Sequence, residues 1–208
     1  MTDREVIAAF HTLYYQSGTW ANGTNWMNVP VYKCPLDLWV YQDILVETKP
    51  DLIIETGTAH GGSALFLAHI LDLLGNGRVV TIDLLADDQR PKHDRISYVQ
   101  GSSVEPAVLA TIATHAKDAK KTMVILDSDH TRDHVLKELN AYWPYVSPGA
   151  YLIVEDTNVN GHPIPWSLGP GPTEAVQEFL ATNHHFLVDY TREKFLMTQN
   201  PGGYLRRA

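Results

Sequence analysis

Two acidic clusters stand in matching places along the chain. Residues 126–130 read "LDSDH" and residues 153–157 read "IVEDT", each at the end of a run of strand-forming apolar residues. Asp127 ends the first run, and Glu155 and Asp156 end the second. If the two strands are adjacent and parallel, three carboxylates converge at one sheet edge. Like charges this close do not all ionise without a compensating cation, and burying them unpaired is costly. Oxygen-only ligands favour a hard divalent ion, Mg²⁺ or Ca²⁺, with open positions left for water or substrate oxygens.

His130 follows Asp127 by three residues, on the turn above the strand. From there its imidazole could take a proton from a hydroxyl that the metal has acidified. Asp129 has three open readings: helix N-cap, ligand in place of Asp127, or orienting partner of His130, with Thr131 competing for the cap. His134, one helical turn on, reads equally well as a surface residue. Capping by solvated acids is the plain alternative for the whole cluster.

A second constellation lies in "IIETGTAHGGS", residues 53–63. Gly57, Gly61 and Gly62 allow a tight turn and a close backbone approach to a ligand at a helix N-terminus. The spacing is E-x-G-x-x-x-G, not the G-x-G-x-x-G of dinucleotide folds. Glu55 stands where it would repel a pyrophosphate and attract a cation. S-adenosylmethionine, with an ammonium, a sulfonium and no phosphate, fits that sign. Thr56 and Ser63 complete the turn side of this cradle, and Asp127 borders it as well as the metal. Asp83, ending "VVTID", could accept bonds from both ribose hydroxyls, and Ser103 in "VQGSS" could bond the adenine edge. His60 reads as a loop histidine.

These residues need a scaffold that delivers them to one edge. From residue 51 the chain alternates apolar runs ("DLIIE", "RVVTIDL", "ISYVQ", "TMVILD", "AYLIVE") with helical patterns, including helices expected near 104–118, 132–142 and 173–182. Runs without polar alternation belong to strands buried on both faces. The expectation is an α/β, Rossmann-like sheet of five parallel strands with helices on both faces. "HFLVDYTREKFLMTQ" reads as a C-terminal antiparallel hairpin, its two strands flanking a short polar turn. Before the core, residues 3–16 read as an amphipathic helix and 17–34 as a loop, with Pro35 opening a helix stopped at Lys49–Pro50. One domain is expected over 1–208: N-terminal helices and a substrate-covering loop in 1–49, a catalytic core in 50–208.

Composition limits the partners. The net charge is −8 with no basic block, which argues against nucleic acid. No apolar run is long enough to span a bilayer, the N-terminus does not read as a secretory leader, and the single cysteine, Cys34, fits a reducing cytoplasm. Homo-oligomerisation stays open.

Taken together, "CPLDLWVYQDIL", "KPDLIIETGTAHGGSALFLA", "LDSDHTRDHVLKEL", "YVSPGAYLIVEDT", "GPTEAVQEFL" and "NPGGYL" resemble the cephalosporin hydroxylase family over nearly the whole chain. This is a set of class I S-adenosylmethionine-dependent O-methyltransferases despite its label. The acids and base are similar in spacing to those of macrolide-sugar and catechol O-methyltransferases. The resemblance implies Mg²⁺ on Asp127, Glu155 and Asp156, and His130 as the base. Catechol O-methyltransferase has lysine as base, so histidine here is closer to the sugar enzymes; its last ligand is asparagine, and Asp156 in that place makes the site one charge more negative.

The expected reaction is methylation of a small hydroxylated metabolite with vicinal oxygens; a sugar or glycosylated natural product fits. "TNVNGHPIPWSLGPGP" reads as a substrate loop, with His162 and Trp166 lining the acceptor pocket and Asp129 and Trp26 as further candidate substrate contacts. Trp20 and Trp26 either close it from the other side or anchor the core. Two rivals are a metal-dependent hydroxylase, which would need two histidines and one carboxylate at iron, and a non-catalytic S-adenosylmethionine-binding partner of another enzyme.

Overall fold

The computed structural model describes residues 1–165 and 169–208. Helix α1 (Asp3–Gln16) opens on a capping box, Thr2 and Glu5 each bonding the other's backbone N–H. A short helix α2 (Thr19–Asn22) and a two-residue ribbon, β1 (Asn25–Trp26) with β2 (Val29–Pro30), follow. Helix α3 (Pro35–Thr48) starts on proline and ends at Lys49 in the left-handed region, before Pro50.

The core alternates as expected: β3 (Leu52–Thr56), α4 (Gly62–Leu74), β4 (Arg78–Asp83), β5 (Ile96–Gln100), α5 (Pro106–Ala116), β6 (Thr122–Leu126), α6 (Arg132–Tyr142), β7 (Tyr151–Val154), α7 (Pro172–Thr182), β8 (Phe186–Val188) and β9 (Tyr204–Arg207). The sheet order is β5-β4-β3-β6-β7-β9-β8. The first five strands are parallel, and β9 runs antiparallel to both of its neighbours. Every residue of β3, β6 and β7 is buried, which is why their sequences show no polar alternation. The order reverses between β3 and β6, and the crevice beyond their carboxyl ends is where such sheets take ligands.

Three local expectations change, the first being that 17–34, read as a loop, holds α2 and the β1–β2 ribbon. The second strand of the terminal pair is Tyr204–Arg207, not the "KFLMTQ" stretch. Asp189 accepts from the Thr191 N–H and starts a 3₁₀ turn over Tyr190–Glu193. The chain then tucks under α3, where the Gln199 N–H donates 2.8 Å to Asp37 Oδ2. A side chain thus takes the bond that a sheet ladder would have taken. In α1 the apolar residues Val6, Phe10 and Leu13 are exposed, and only His11 is buried, so that helix does not turn its apolar face to the core.

Candidate active site

The glycine turn after β3 is shaped by close backbone approaches. Gly57 has φ +86°, and a Cβ there would lie 1.8 Å from the Asp127 carbonyl oxygen. Only glycine lets β3 and β6 end this close together. At Gly62 a Cβ would lie 2.1 Å from the Pro30 carbonyl oxygen, so this glycine seats the N-terminal segment, which arrives from β2, across the turn. Gly61, at φ +79°, caps α4.

Beside the turn lies a cavity of about 350 Å³ lined by Gly57, Asp83, Ser103, Ser128, Asp129 and His134 among others. Asp83 Oδ2 accepts from the backbone N–H groups of Thr58 (3.1 Å) and Ala59 (2.9 Å), Oδ1 accepts from that of Leu85 (3.0 Å), and Arg90 Nη2 is 3.3 Å from Oδ2. In this structure that carboxylate braces the turn. Ser103 Oγ hydrogen-bonds His134 Nε2 at 3.1 Å.

Three residues of the expected cradle, Glu55, Thr56 and Ser63, are buried in its floor. Ser63 Oγ donates to Glu55 Oε1 at 2.5 Å and Thr81 Oγ1 to Oε2 at 2.7 Å. Glu55 therefore turns its carboxylate inward to hydroxyls. Burial, opposed by Lys33 and these donors, pushes its pKa up to about 7.

The acidic clusters do meet. The Asp127 N–H donates to Thr56 O at 3.0 Å and the Glu155 N–H to Leu126 O at 2.9 Å, which carries both strand ends to one level. One ligand atom each from Asp127, His130 and Asp156 lie within 4.8 Å of one another. His130 Nε2 is 3.2 Å from Asp156 Oδ2. Asp156 is held at φ +54°, its N–H donating to Asn200 Oδ1 at 3.1 Å. A non-glycine residue in that region is strained and needs such support.

A residue that sequence reasoning missed sits among them. Lys33, 1% exposed, places Nζ 2.6 Å from Asp127 Oδ2 and 2.5 Å from Glu155 Oε1. Tyr41 donates its hydroxyl to the same Glu155 oxygen and accepts from Asn200 Nδ2 at 3.3 Å. Asp37, whose carboxyl burial pushes up to about 7, accepts from Thr198, Gln199 and Tyr204. The available signal was spacing: Lys33, Asp37 and Tyr41 recur every four residues in an otherwise apolar stretch.

Burial lowers the Lys33 ammonium's pKa, but Asp127, Glu155 and Glu55 outweigh it and hold it above the ordinary lysine value. His130 is likewise raised, burial being overcome by Asp156, Asp127 and Glu155. Burial pushes the carboxyls of Asp127, Asp156 and Glu155 up, with Lys33 and His130 opposing.

The donor set fits a hard divalent ion. Asp127, His130 and Asp156 offer ligand atoms within one ion's span, whereas Glu155 stands outside that group, its Oε1 held by Lys33 and Tyr41. With the imidazole neutral, three carboxylates against the Lys33 ammonium leave two negative charges, which one divalent ion would balance in place of the His130 charge. The two-histidine arrangement of an iron hydroxylase is not formed: His134 turns to Ser103 and to Glu138, 3.6 Å from its Oε1.

The remaining candidates are dispersed. Asp129 Oδ1 accepts from the Thr131 N–H at 2.7 Å, bracing the turn into α6, while Asp129 also borders the cavity. His162 hydrogen-bonds Glu174 at 2.8 Å and lines a different cavity of about 460 Å³ against α1. Trp26 donates to His69 Nδ1 at 2.9 Å and packs edge-on against Phe66, facing an apolar cavity between α3 and α4. It anchors the N-terminal ribbon to α4 rather than reaching the acids. Trp166 lies outside the described residues.

A family model described as "Rhamnosyl O-methyltransferase/CmcI" matches residues 18–208. A rhamnosyl O-methyltransferase of Mycobacterium tuberculosis is 37% identical over 212 residues, covering 97% of this chain and 85% of the relative. Among solved structures, CmcI in its apo form superposes with TM-score 0.66 at 23% identity, over 89% of this chain and 76% of that one. A CmcI structure described as a Mg-SAM complex gives 0.64 at 20%, with the same coverage.

Proposed function

Because the chain belongs to the rhamnosyl O-methyltransferase/CmcI family and is an S-adenosylmethionine-dependent O-methyltransferase, we propose that it methylates a hydroxyl of a sugar-type metabolite bearing vicinal oxygens, with Mg²⁺ at Asp127, Glu155 and Asp156. The observation that carries this reading is the convergence of Asp127, His130 and Asp156 beside a cavity at the same strand ends. The Mg-SAM complex of the structural relative supports the cofactor pair, and the rhamnosyl relative supports a sugar acceptor.

The chain's own residues divide the work. The cavity between the glycine turn, Asp83 and Ser103 binds and orients the methyl donor, with Asp127 at its border. Asp156 holds His130 at 3.2 Å, fixing the imidazole beside the carboxylates. Released from that contact, the imidazole would take the proton of the reacting hydroxyl as its oxygen displaces the donor's sulfur at the methyl carbon, the sulfur keeping the electron pair of the broken C–S bond. When bound, S-adenosylmethionine supplies the methyl group, and the divalent ion supplies charge that makes a nearby hydroxyl easier to ionise and aligns the vicinal pair. Alignment of donor and acceptor accounts for much of the rate. Residues 1–208 act as one methyltransferase unit.

The test is methyl transfer from S-adenosylmethionine to a panel of rhamnosides and other glycosides, with aromatic diols alongside, read by product mass. Methylated glycoside should form with Mg²⁺ and vanish with EDTA or in Asp156→Ala. Unchanged turnover in EDTA refutes the metal assignment. Turnover of aromatic diols alone refutes the sugar assignment.

A further inference from the structure

Lys33 occupies the ground between two of the proposed metal ligands. Its ammonium is buried and bridges Asp127 Oδ2 at 2.6 Å and Glu155 Oε1 at 2.5 Å. The segment that delivers it is fixed on both sides. Pro30 sits against Gly62, where a Cβ would lie 2.1 Å from its carbonyl oxygen, and the Cys34 N–H donates to Gln199 Oε1 at 3.1 Å. The lysine is therefore held by backbone anchored at both ends, not by a mobile stem reaching in from solvent. Tyr41 completes the contact on Glu155.

Resting on the metal-dependent reading above, we infer that Lys33 is a positioning residue, a resident counter-ion that aligns Asp127 and Glu155 before a metal arrives and weakens divalent-cation binding so that the ion stays exchangeable. Removing one partner of a buried ion pair leaves the other charge uncompensated, so without Lys33 the carboxylates depend on an external cation. A fixed positive charge beside the ligands also repels the incoming ion, and its loss tightens binding.

Lys33→Met keeps most of the side chain's length and removes the charge. Mg²⁺ binding is measured by calorimetry at pH 8, and melting is followed in EDTA and in saturating Mg²⁺. The variant should melt about 10 °C lower than wild type in EDTA. It should bind Mg²⁺ on the order of tenfold more tightly, and gain more from Mg²⁺ in melting temperature than wild type does. All three changes are required, and the absence of any one overturns the inference. If Lys33→Met does not fold, the charge-compensated Lys33→Met/Glu155→Gln protein should fold in EDTA, and its failure to do so also overturns it. Absence of Mg²⁺ binding by the wild type refutes the metal reading itself, whereas wild-type binding with an unchanged Lys33→Met affinity refutes only the role of Lys33.

Discussion

Replacing Gly57 by alanine strikes the junction on which the site is built. The residue sits at φ +86°, and the added Cβ would lie 1.8 Å from Asp127 O and 2.5 Å from Asp127 C. Both are backbone atoms of the residue that follows β6, so no side chain can swing aside. The left-handed conformation costs an alanine about 1–2 kcal/mol, and forcing extra volume into a packed interior costs about 1–3 kcal/mol more. At roughly 2–4 °C per kcal/mol for a domain of this size, melting should fall by about 10 °C. Gly75→Ala is the control: its φ is +69°, and among the described residues nothing lies within 4 Å of the added Cβ. That variant carries only the backbone cost, roughly 1 kcal/mol, and should lose about 2–4 °C. The two are compared by thermal melting, together with Mg²⁺ calorimetry, because displacing Asp127 should weaken metal binding only in Gly57→Ala. Equal losses in the two variants, or a Gly57→Ala protein with wild-type melting, would refute the argument that backbone contact forbids a side chain there.

His130→Gln should lower kcat by about 10²–10⁴-fold while leaving calorimetric affinity for S-adenosylmethionine within a few-fold, since it removes the base and not the donor cavity. Asp156→Asn should abolish the rise in melting temperature that Mg²⁺ gives the wild type, as measured by scanning fluorimetry with and without EDTA. Glu55 supplies a pH dependence. Its folded pKa, about 7, lies above its ordinary 4.5, so its contribution is fully present below pH 4.5 and lost as pH rises through 7, by about 3 kcal/mol at most. Glu55→Gln should therefore gain stability on the wild type between pH 5 and pH 8 in urea unfolding, and a constant difference would contradict the shift. His130 is raised as well, so in EDTA its ion pair should stabilise below its ordinary pKa and fade as pH rises through the elevated one. Wild type and His130→Gln should accordingly converge in melting temperature at alkaline pH.

The parallel core was legible because strands buried on both faces leave an unmistakable apolar run, and "GNG" and the prolines punctuate the helices. Asp127, His130 and Asp156 were legible for the same reason: each follows such a run, and neighbouring parallel strands must end together. The terminal pair was misassigned in detail because "KFLMTQ" is strand-like by composition, while Asp37, far off in sequence, takes its backbone bond. Lys33 was hidden more deeply. The four-residue spacing of Lys33, Asp37 and Tyr41 is its local sign, but that spacing names no partner, and the partners are 94 and 122 residues away. Glu55 was placed at the end of the right strand and Trp26 in a stretch read as loop that forms a ribbon, and which way each side chain turns is settled by the hydroxyls, rings and backbone packed against it. The sequence by itself determined the run of parallel strands and the surplus of carboxylates at their ends, because these follow from periodicity and chain order. Only the tertiary structure decided that part of the missing positive charge belongs to the protein itself, because that depends on a long-range crossing over a turn kept free of side chains.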